Sequence, residues 1–485
     1  MSNWKALTKR ILAIAMAAAC LMAVTGCSND NKEEPNAMGN GEFMVGFAKV
    51  EITPSESVPM AGYGNTSSRM STGYLDRLYT HCAAITDAEG ETVLLFHNDL
   101  QRTNASLTEN VRYAIFEKTG IPEDHIMIGA THTHSGPDLN NGSKDSITRY
   151  SASMVEWMTS AAEKALADRK PAEMYIGTVE IPDLNRVRHY VLEDGTKVGY
   201  ASMVTKENPA VAHNGPADET LQIVKFTREG GTDVLLTNWQ VHNSYTGGAQ
   251  KYTISADVVG VFCEELGKAL GCDVAYFQGA AGNVSYVSSI QSEKDRLPET
   301  YKEYGMVMVN AVLNAGDIYE KVETGKVQVQ QTMYTGVVDH TQDDMIEAAQ
   351  AVQDIWTKTN DRKEADALGA PLGIRSPYHA GAIITRAALG QSDQLEMNVV
   401  SFGDVAFAVA CYEMFTQNGL HIKEASPYKM TFIMGYANSH MGYMPSEDVF
   451  TYESYERDTT HYVQGTAEEL AEVLLTMLNS TYENR

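Results

Sequence analysis

The strongest chemical signal in the sequence is the segment 131–137, which reads Thr-His-Thr-His-Ser-Gly-Pro. A short apolar run at 126–130 precedes it and predicts a buried strand. In an extended segment, His132 and His134 would project to the same face. Zinc binds imidazole nitrogen and carboxylate oxygen, and a catalytic zinc site keeps one position open. The pair therefore predicts a metal site, with a structural or surface pair as the alternative.

Three further groups of polar residues follow predicted strands, at 97–99, 242–243 and 282–285. Ligand sites in open α/β sheets gather at the carboxyl ends of strands, so we expect these groups to meet. His242 would be a ligand or, in the simpler interpretation, a satisfied core histidine. Ser285 follows a glycine-rich turn and would be a nucleophile or an oxyanion donor. It lacks the Gly-x-Ser-x-Gly pattern of a nucleophile elbow, so a plain turn serine is its alternative.

Apolar runs with strand character alternate with helical patterns along the chain. This alternation predicts an α/β fold of mixed sheets flanked by helices. In the predicted helix 147–166, for example, Tyr150, Met154 and Met158 fall on one stripe. The strands are predicted at 92–97, 126–130, 234–241, 274–277, 399–402 and 405–409, and the helices at 106–118, 147–166 and 258–270.

The first residues have the features of an export signal. A basic start precedes an apolar run at 11–24, which is shorter than the roughly 20 residues of a membrane span. The run ends in Val-Thr-Gly-Cys and resembles a bacterial lipobox. The resemblance implies cleavage before Cys27 and acylation of its thiol, which would anchor the chain to a membrane. An ordinary signal peptide with an incidental cysteine is the alternative.

Residues 28–41 are polar and predict a flexible tether. Their acidic residues resemble the surface-export signal of Bacteroidetes lipoproteins. We therefore expect a signal peptide at 1–26, a tether at 27–41 and a catalytic domain at 42–485. The expected location is the cell envelope, by a lipid anchor in the outer membrane, with exposure at the surface as one possibility and the face of the membrane left open.

The overall charge and the cysteines exclude several classes of protein. The net charge of −26 argues against nucleic acid as a partner, because phosphate binding requires a basic surface. After Cys27, the cysteines are Cys82, Cys263, Cys272 and Cys411, with no Cys-x-x-Cys pair. They predict neither a disulfide framework nor a thiolate zinc site, and any pairing among them stays open.

The order of several motifs resembles the catalytic domain of neutral ceramidases, zinc amidases that cleave the amide bond of N-acyl sphingosines. The seven-residue histidine motif matches the family pattern without a change. The other matches follow in the family's order and are less specific individually. They lie at 185–186, 218–226, 255–260, 282–285, 412–416 and 438–445.

The resemblance implies one zinc ion and a set of roles. The implied ligands are His132, His242, Glu413 and Tyr443, with His440 as a competitor for the place of Tyr443. His134 would be the general acid, Arg186 would hold the developing oxyanion, and Ser285 or water would attack. Two further acidic residues in matching or strand-end positions are weaker candidates for the site, Asp99 and Asp257.

Some features differ from the family pattern. The interval between Ser285 and Glu413 is short, and in the family this region helps to shape the acyl-chain pocket. Asp138 and Leu139 replace a glycine pair, and Tyr286 replaces a proline. The chain ends at Arg485, so we also expect it to lack the family's downstream β-sandwich.

The leading hypothesis is therefore a zinc amidohydrolase acting on an N-acyl sphingoid base or a related N-acyl lipid. A second hypothesis keeps the metal centre but changes the substrate to another ester or amide, or to a glycan-derived compound. A third is a non-catalytic surface lipoprotein that binds glycan. The unbroken histidine motif favours an enzyme over the third hypothesis.

Overall fold

The computed structural model describes residues 41–64, 68–140, 144–247, 250–294 and 296–485. The predicted signal peptide, Cys27 and all but the last residue of the predicted tether lie outside these ranges. Within them, none of the helices combines the length and the apolar character that crossing a membrane requires.

Two β-sheets form the centre of the fold. Eight strands of the larger sheet lie in the order Asp273–Gln278, Val234–Trp239, Thr220–Arg228, Lys170–Glu180, Met44–Glu51, Tyr79–Thr86, Thr92–Asn98 and Ile126–Ala130, and a ninth, Glu320–Val322, pairs with Lys170–Glu180. The smaller sheet has the order Val327–Val337, Ser392–Phe402, Val405–Ala410 and Met430–Met434. Both sheets mix parallel with antiparallel pairs.

The two sheets pack face to face through alternating side chains. In the strand Thr92–Asn98, Val93 and Leu95 join a core shared with the smaller sheet, whereas Leu94 and Phe96 face the opposite side. This alternation is the two-residue period of a strand buried on both faces. Phe407 and its neighbours supply the other half of the shared core.

Helices cover the outer faces of both sheets, so the fold has four layers. The larger sheet is covered by Ala105–Thr119, Asp145–Ala167, Asp257–Leu270 and Tyr301–Asn314. The smaller sheet is covered by Thr416–Ala425 and Thr466–Glu483. The predicted α/β architecture is confirmed, and the predicted strands and helices are present with ends shifted by a few residues. The largest shift is at 399–402, because that strand begins at Ser392.

A group of three helices is inserted between two strands of the smaller sheet. It comprises Ile346–Thr359, Arg362–Gly369 and Pro377–Ala388. These helices bury a small core of their own, which includes Val352, Ile374 and Ile383. The sequence analysis did not predict this insertion.

One ion pair connects an outer helix to the smaller sheet. Arg112 donates two hydrogen bonds to Glu396, of 2.8 and 3.0 Å, and a third to the carbonyl of Ile126. Glu396 also accepts a hydrogen bond from Asn438. Burial raises the pKa of Glu396, but the hydrogen bonds outweigh it and leave the pKa below its ordinary value.

We predict that Arg112→Met lowers the free energy of unfolding by roughly 3 kcal/mol, because it leaves a largely buried carboxylate, 20% exposed, without its cation. The loss, measured by urea denaturation, should be full at pH 7. It should shrink as the pH falls, beginning above the ordinary pKa of a glutamate, because burial raises the pKa of the unpaired carboxyl in the variant.

The matched control is Arg149→Met. Arg149 forms a similar two-bond pair with Glu56, but both side chains are exposed. Its removal should leave the unfolding midpoint unchanged. Equal effects of the two substitutions would contradict the role given to Arg112.

Candidate functional site

The histidine motif follows the edge strand Ile126–Ala130 but is not itself a strand. His132 has a φ of 63°, in the left-handed region. The expectation that an extended backbone places His132 and His134 on one face is therefore wrong. A tight turn brings the two imidazoles together instead. A non-glycine residue in this conformation costs about 1–3 kcal/mol, so the contacts around His132 must hold it in place.

Three imidazoles meet at the end of the larger sheet. Nε2 of His132 lies 3.2 Å from Nε2 of His242 and 3.2 Å from Nε2 of His134. His242 follows the strand Val234–Trp239, which lies far from Ile126–Ala130 in the order of the sheet. The sheet therefore brings residues 110 positions apart into one group. The group has the composition and spacing to hold a metal ion.

The hydrogen bonds fix the tautomers of two of these histidines. Nδ1 of His132 donates to the carbonyl of Gln101, and Nδ1 of His242 donates to the carbonyl of Ala281. Both Nε2 atoms are therefore unprotonated, and their lone pairs face each other. Burial lowers the pKa of His132 and His134 to about 3, so the neutral forms are favoured.

These facing lone pairs fit a metal ion. Two imidazole nitrogens on one tetrahedral zinc lie roughly 3.3 Å apart, which agrees with the separations between the Nε2 atoms. Backbone carbonyls that accept from the opposite ring nitrogen are the usual way in which metal-ligating histidines are oriented.

Two oxygen donors complete the group. Oε2 of Glu413 lies 3.5 Å from Nε2 of His132 and 3.6 Å from Nε2 of His242. It is buried and has no hydrogen-bond partner of ordinary geometry. The hydroxyl of Tyr443 lies 3.2 Å from Nε2 of His242. The short parallel bridge between Glu413–Met414 and Tyr443–Met444 places these two side chains beside each other.

His440 lies behind Glu413. Its Nε2 donates to Oε1 of Glu413 at 2.9 Å, and its Nδ1 faces Arg102 at 3.4 Å. The structure thus places Tyr443 next to His242, and places His440 on the far oxygen of Glu413. In this position His440 orients the carboxylate.

Two further candidate residues, Ser285 and Arg186, lie on short strands that pair with each other. Ser285 pairs with Arg186 in a two-residue bridge, and the neighbouring Val284 accepts a hydrogen bond from the backbone of His242. Arg186 is buried and forms an ion pair with the partly exposed Glu293, and its two terminal nitrogens have no hydrogen-bond partner.

Two weaker candidates have other contacts. Asp99 bonds to His97 and to the backbone of Tyr79, and it lines a separate cavity of about 570 Å³. Asp257 accepts hydrogen bonds from the backbone and the hydroxyl of Thr246, so it fixes the loop after His242.

Arg188 is a residue that the sequence analysis missed. Its Nη2 donates to the hydroxyl of Tyr443 at 3.2 Å and to the carbonyl of Gly282, while Nε pairs with Glu456. The only available signal was its position two residues after Arg186, on the same side of an extended segment. Its contact with Tyr443 depends on residues 255 positions apart and could not be derived from local pattern.

The backbone of His134 is held from two sides. Its N–H donates to the carbonyl of Asn243, and its carbonyl accepts from both terminal nitrogens of Arg69. Gly62 packs against the imidazole so closely that an added Cβ would lie 2.5 Å from the Cβ of His134. The position of this imidazole therefore depends on the absence of a side chain at residue 62.

A cavity of about 500 Å³ opens beside the histidine group. Glu413, Tyr443 and His134 are among the residues that line it. The inserted helices contribute Tyr378 and Thr385 to its wall. A small molecule in this cavity would lie against the candidate metal ligands.

A family of known proteins matches the part of the chain that contains the three histidines. Residues 43–268 match the model of the family described as neutral/alkaline non-lysosomal ceramidase, N-terminal. The resemblance found in the sequence is confirmed over this region, which contains His132, His134 and His242. Glu413 and Tyr443 lie outside the matched residues. Their assignment to the site is supported by the geometry described above.

A curated relative, the neutral ceramidase of Pseudomonas aeruginosa strain PAO1, is 24% identical over 265 residues. The match covers 50% of this chain and 37% of that protein. A crystal structure of neutral ceramidase from P. aeruginosa has a TM-score of 0.66 at 18% identity, covering 92% of this chain and 75% of that chain. A structure of ceramidase complexed with C2 has a TM-score of 0.66 at 19% identity, covering 92% of this chain and 76% of that chain. These similarities show that the fold is shared.

We predict that Gly62→Ala weakens the binding of a divalent cation about 10- to 100-fold, the range found when the support of a ligand is disturbed. The added methyl group would displace the imidazole of His134. The measurement is a competition titration with zinc and a chromophoric chelator.

Gly64→Ala is the control, because Gly64 also has a positive φ but an added Cβ would meet nothing within 4 Å. Its φ of 65° lies in the left-handed region, whereas that of Gly62 is 101°, so this variant adds a smaller backbone strain nearby without the clash. Equal losses in the two variants would show that strain, and not contact with His134, is responsible.

Proposed function

We propose that this chain, whose residues 43–268 match the neutral/alkaline ceramidase family, is a zinc-dependent hydrolase that cleaves an amide bond. The substrate class we infer is an N-acyl sphingoid base or a related N-acyl compound. The family supports amide hydrolysis, and the buried histidine group supports the metal.

The observation that carries the proposal is the meeting of buried lone pairs. Two neutral imidazoles cannot hydrogen-bond to each other through unprotonated nitrogens, so this arrangement is unfavourable in the absence of a cation. The neighbouring Oε2 of Glu413 adds negative charge at the same point. A set of imidazole, carboxylate and phenol donors suits zinc better than it suits calcium or magnesium.

The residues that would hold the ion are His132, His242, Glu413 and Tyr443, with His134 as a further candidate because its Nε2 is equally close. Bound zinc would polarise a carbonyl and lower the pKa of a coordinated hydroxyl or water. His134 lines the cavity and would transfer a proton to the leaving amine.

Three other side chains would assist the reaction. Arg186 has two buried terminal nitrogens without partners, and these could donate to a developing oxyanion. Arg188 holds the hydroxyl of Tyr443 in place. Ser285 is buried, lies next to the residue that bonds His242, and is a candidate nucleophile alongside water.

We predict that the purified protein binds about one zinc per chain and that His132→Ala and His242→Ala each abolish this binding. Both substitutions remove a donor from the point where the nitrogens meet. Metal content would be measured by elemental analysis, and hydrolysis by release of amine from a panel of N-acyl amides and matched esters.

His421→Ala is the control, because His421 is exposed and pairs with Glu472. It should keep both zinc and activity. Wild-type protein that binds no zinc, or a His132 variant that keeps it, would overturn the proposal. Turnover of esters but not of amides would retain the metal centre and reject the amidase activity.

We predict that Ser285→Ala separates the two possible nucleophiles. If the hydroxyl of Ser285 attacks, kcat should fall by at least about 1,000-fold while zinc content is unchanged. If water attacks, appreciable activity should remain. A covalent acyl-enzyme trapped by rapid quenching and found by mass spectrometry would give the same distinction without relying on rate.

A further inference from the structure

The charges around the cavity beside the histidine group are unusual for this protein. The whole chain carries 63 acidic and 37 basic residues. Among the described residues that line the cavity, however, Glu413 is the single carboxylate, and Arg102 is the single arginine or lysine. Glu413 belongs to the candidate metal ligands, so a bound cation would leave this cavity positive.

Arg102 differs from the other arginines near the site. Arg186 pairs with Glu293, and Arg188 pairs with Glu456. Arg102 instead donates to the neutral ring nitrogen of His440 at 3.4 Å, and its buried Nε has no hydrogen-bond partner. In the part of the chain that the structure describes, no carboxylate forms an ion pair with it. A guanidinium that lines a cavity without a carboxylate partner is suited to bind an anion from outside the protein.

The position of Arg102 relates it to the metal-binding group. It directly follows Gln101, whose carbonyl accepts the hydrogen bond from Nδ1 of His132. It also contacts His440, which bonds Glu413. A substrate whose amide lies at the histidine group could therefore reach Arg102 with an anionic group that is only a few covalent bonds away from that amide.

The other walls of the cavity suit a polar group better than a long alkyl chain. They are formed by tyrosines, histidines, hydroxyls and amides, and the largest aliphatic side chain among the lining residues is that of Ala382. Ligand pockets are usually lined predominantly by hydrophobic and aromatic side chains, and this cavity has the aromatic ones without any large aliphatic side chain. We therefore expect a long acyl chain on the substrate to lie outside this cavity.

We propose that the substrate amide carries an anionic group, such as a carboxylate, close to the scissile bond, and that Arg102 binds this group. The proposal rests on the amidase function proposed above. Among the N-acyl compounds considered there, it selects those that carry an anionic group over an uncharged N-acyl sphingoid base. Arg102 acts here as a specificity-determining residue, and the reaction at the amide is unchanged by it.

The test uses pairs of amides that differ only in charge. N-octanoylalanine is compared with N-octanoylalaninamide, where the carboxylate would lie on the amine side. N-hexylsuccinamic acid is compared with N-hexylsuccinamide, where it would lie on the acyl side. With zinc-loaded protein we expect one acid to exceed its neutral partner about 10- to 100-fold in kcat/KM, as for a hydrogen bond to a charged group.

Arg102→Met should remove this preference mainly by raising KM for the acid, so that kcat/KM for the acid falls at least about tenfold more than kcat/KM for the neutral amide. Arg102→Lys should restore part of the preference, because it returns the charge without the forked geometry. Arg77→Met is the matched control, since it removes the same charge from an exposed position paired with Glu51.

A second readout does not depend on turnover. Titration calorimetry with the chelator-treated full chain should show binding of the preferred acid and about tenfold weaker binding to the Arg102→Met variant. Neutral amides hydrolysed as fast as acids by wild type, or a preference that survives Arg102→Met, would overturn this inference and leave the amidase proposal standing. Failure of the zinc-loaded wild type to cleave any of the four amides, while the acid still binds through Arg102, would instead reject the amidase proposal.

Discussion

The structure around the site depends on one constraint, which is that buried imidazole nitrogens bearing lone pairs are held within 3.2 Å of each other. Such an arrangement is unfavourable by itself, and three features maintain it. Backbone carbonyls orient the rings of His132 and His242. The left-handed backbone of His132 makes the turn. Arg69 and Asn243 fix the backbone of His134. The fold therefore supplies the energy that keeps these donors ready for a cation.

The architecture explains why such distant segments can meet. The smaller sheet packs on the larger one, and the segment after its strand Met430–Met434 runs between the two edges of the larger sheet. Gly435 bonds to Gln278 on one edge strand, and Asn438 bonds to Ile128 on the other. This segment leads directly to Tyr443. Glu413, which follows the strand Val405–Ala410, bonds backbone to backbone with Gly442. Both oxygen donors thus come from the smaller sheet and the three imidazoles from the larger one.

Much of the fold could be predicted from the sequence because it depends on local periodicity. The strand at 126–130, for example, has the predicted limits. The histidines could be selected because an unusual residue type recurs at a strand end. Glu413 and Tyr443 were found only through the resemblance, since a glutamate before a helix and a tyrosine in a loop carry no distinguishing local pattern. The catalytic roles given to His134, Ser285 and Arg186 remain predictions.

Arg188 and Arg102 could not be identified in the same way. What distinguishes each of them is the partner that it has or lacks, and this is a property of the tertiary structure. The turn at His132 was mispredicted for a similar reason. A backbone conformation that costs energy locally is chosen by the contacts around it, and a propensity argument describes only the favourable conformation.

The inserted helices separate the shape of the cavity wall from the stability of the central sheets. Their side chains form part of the cavity wall, but they are stabilised by a small core that excludes the strands carrying the histidines. Residues in that core can therefore change, and the wall can be reshaped, while the stability of the central sheets is largely unaffected. A change in the cavity wall therefore costs the fold little stability, whereas a change at the histidine group disturbs contacts on which both sheets depend.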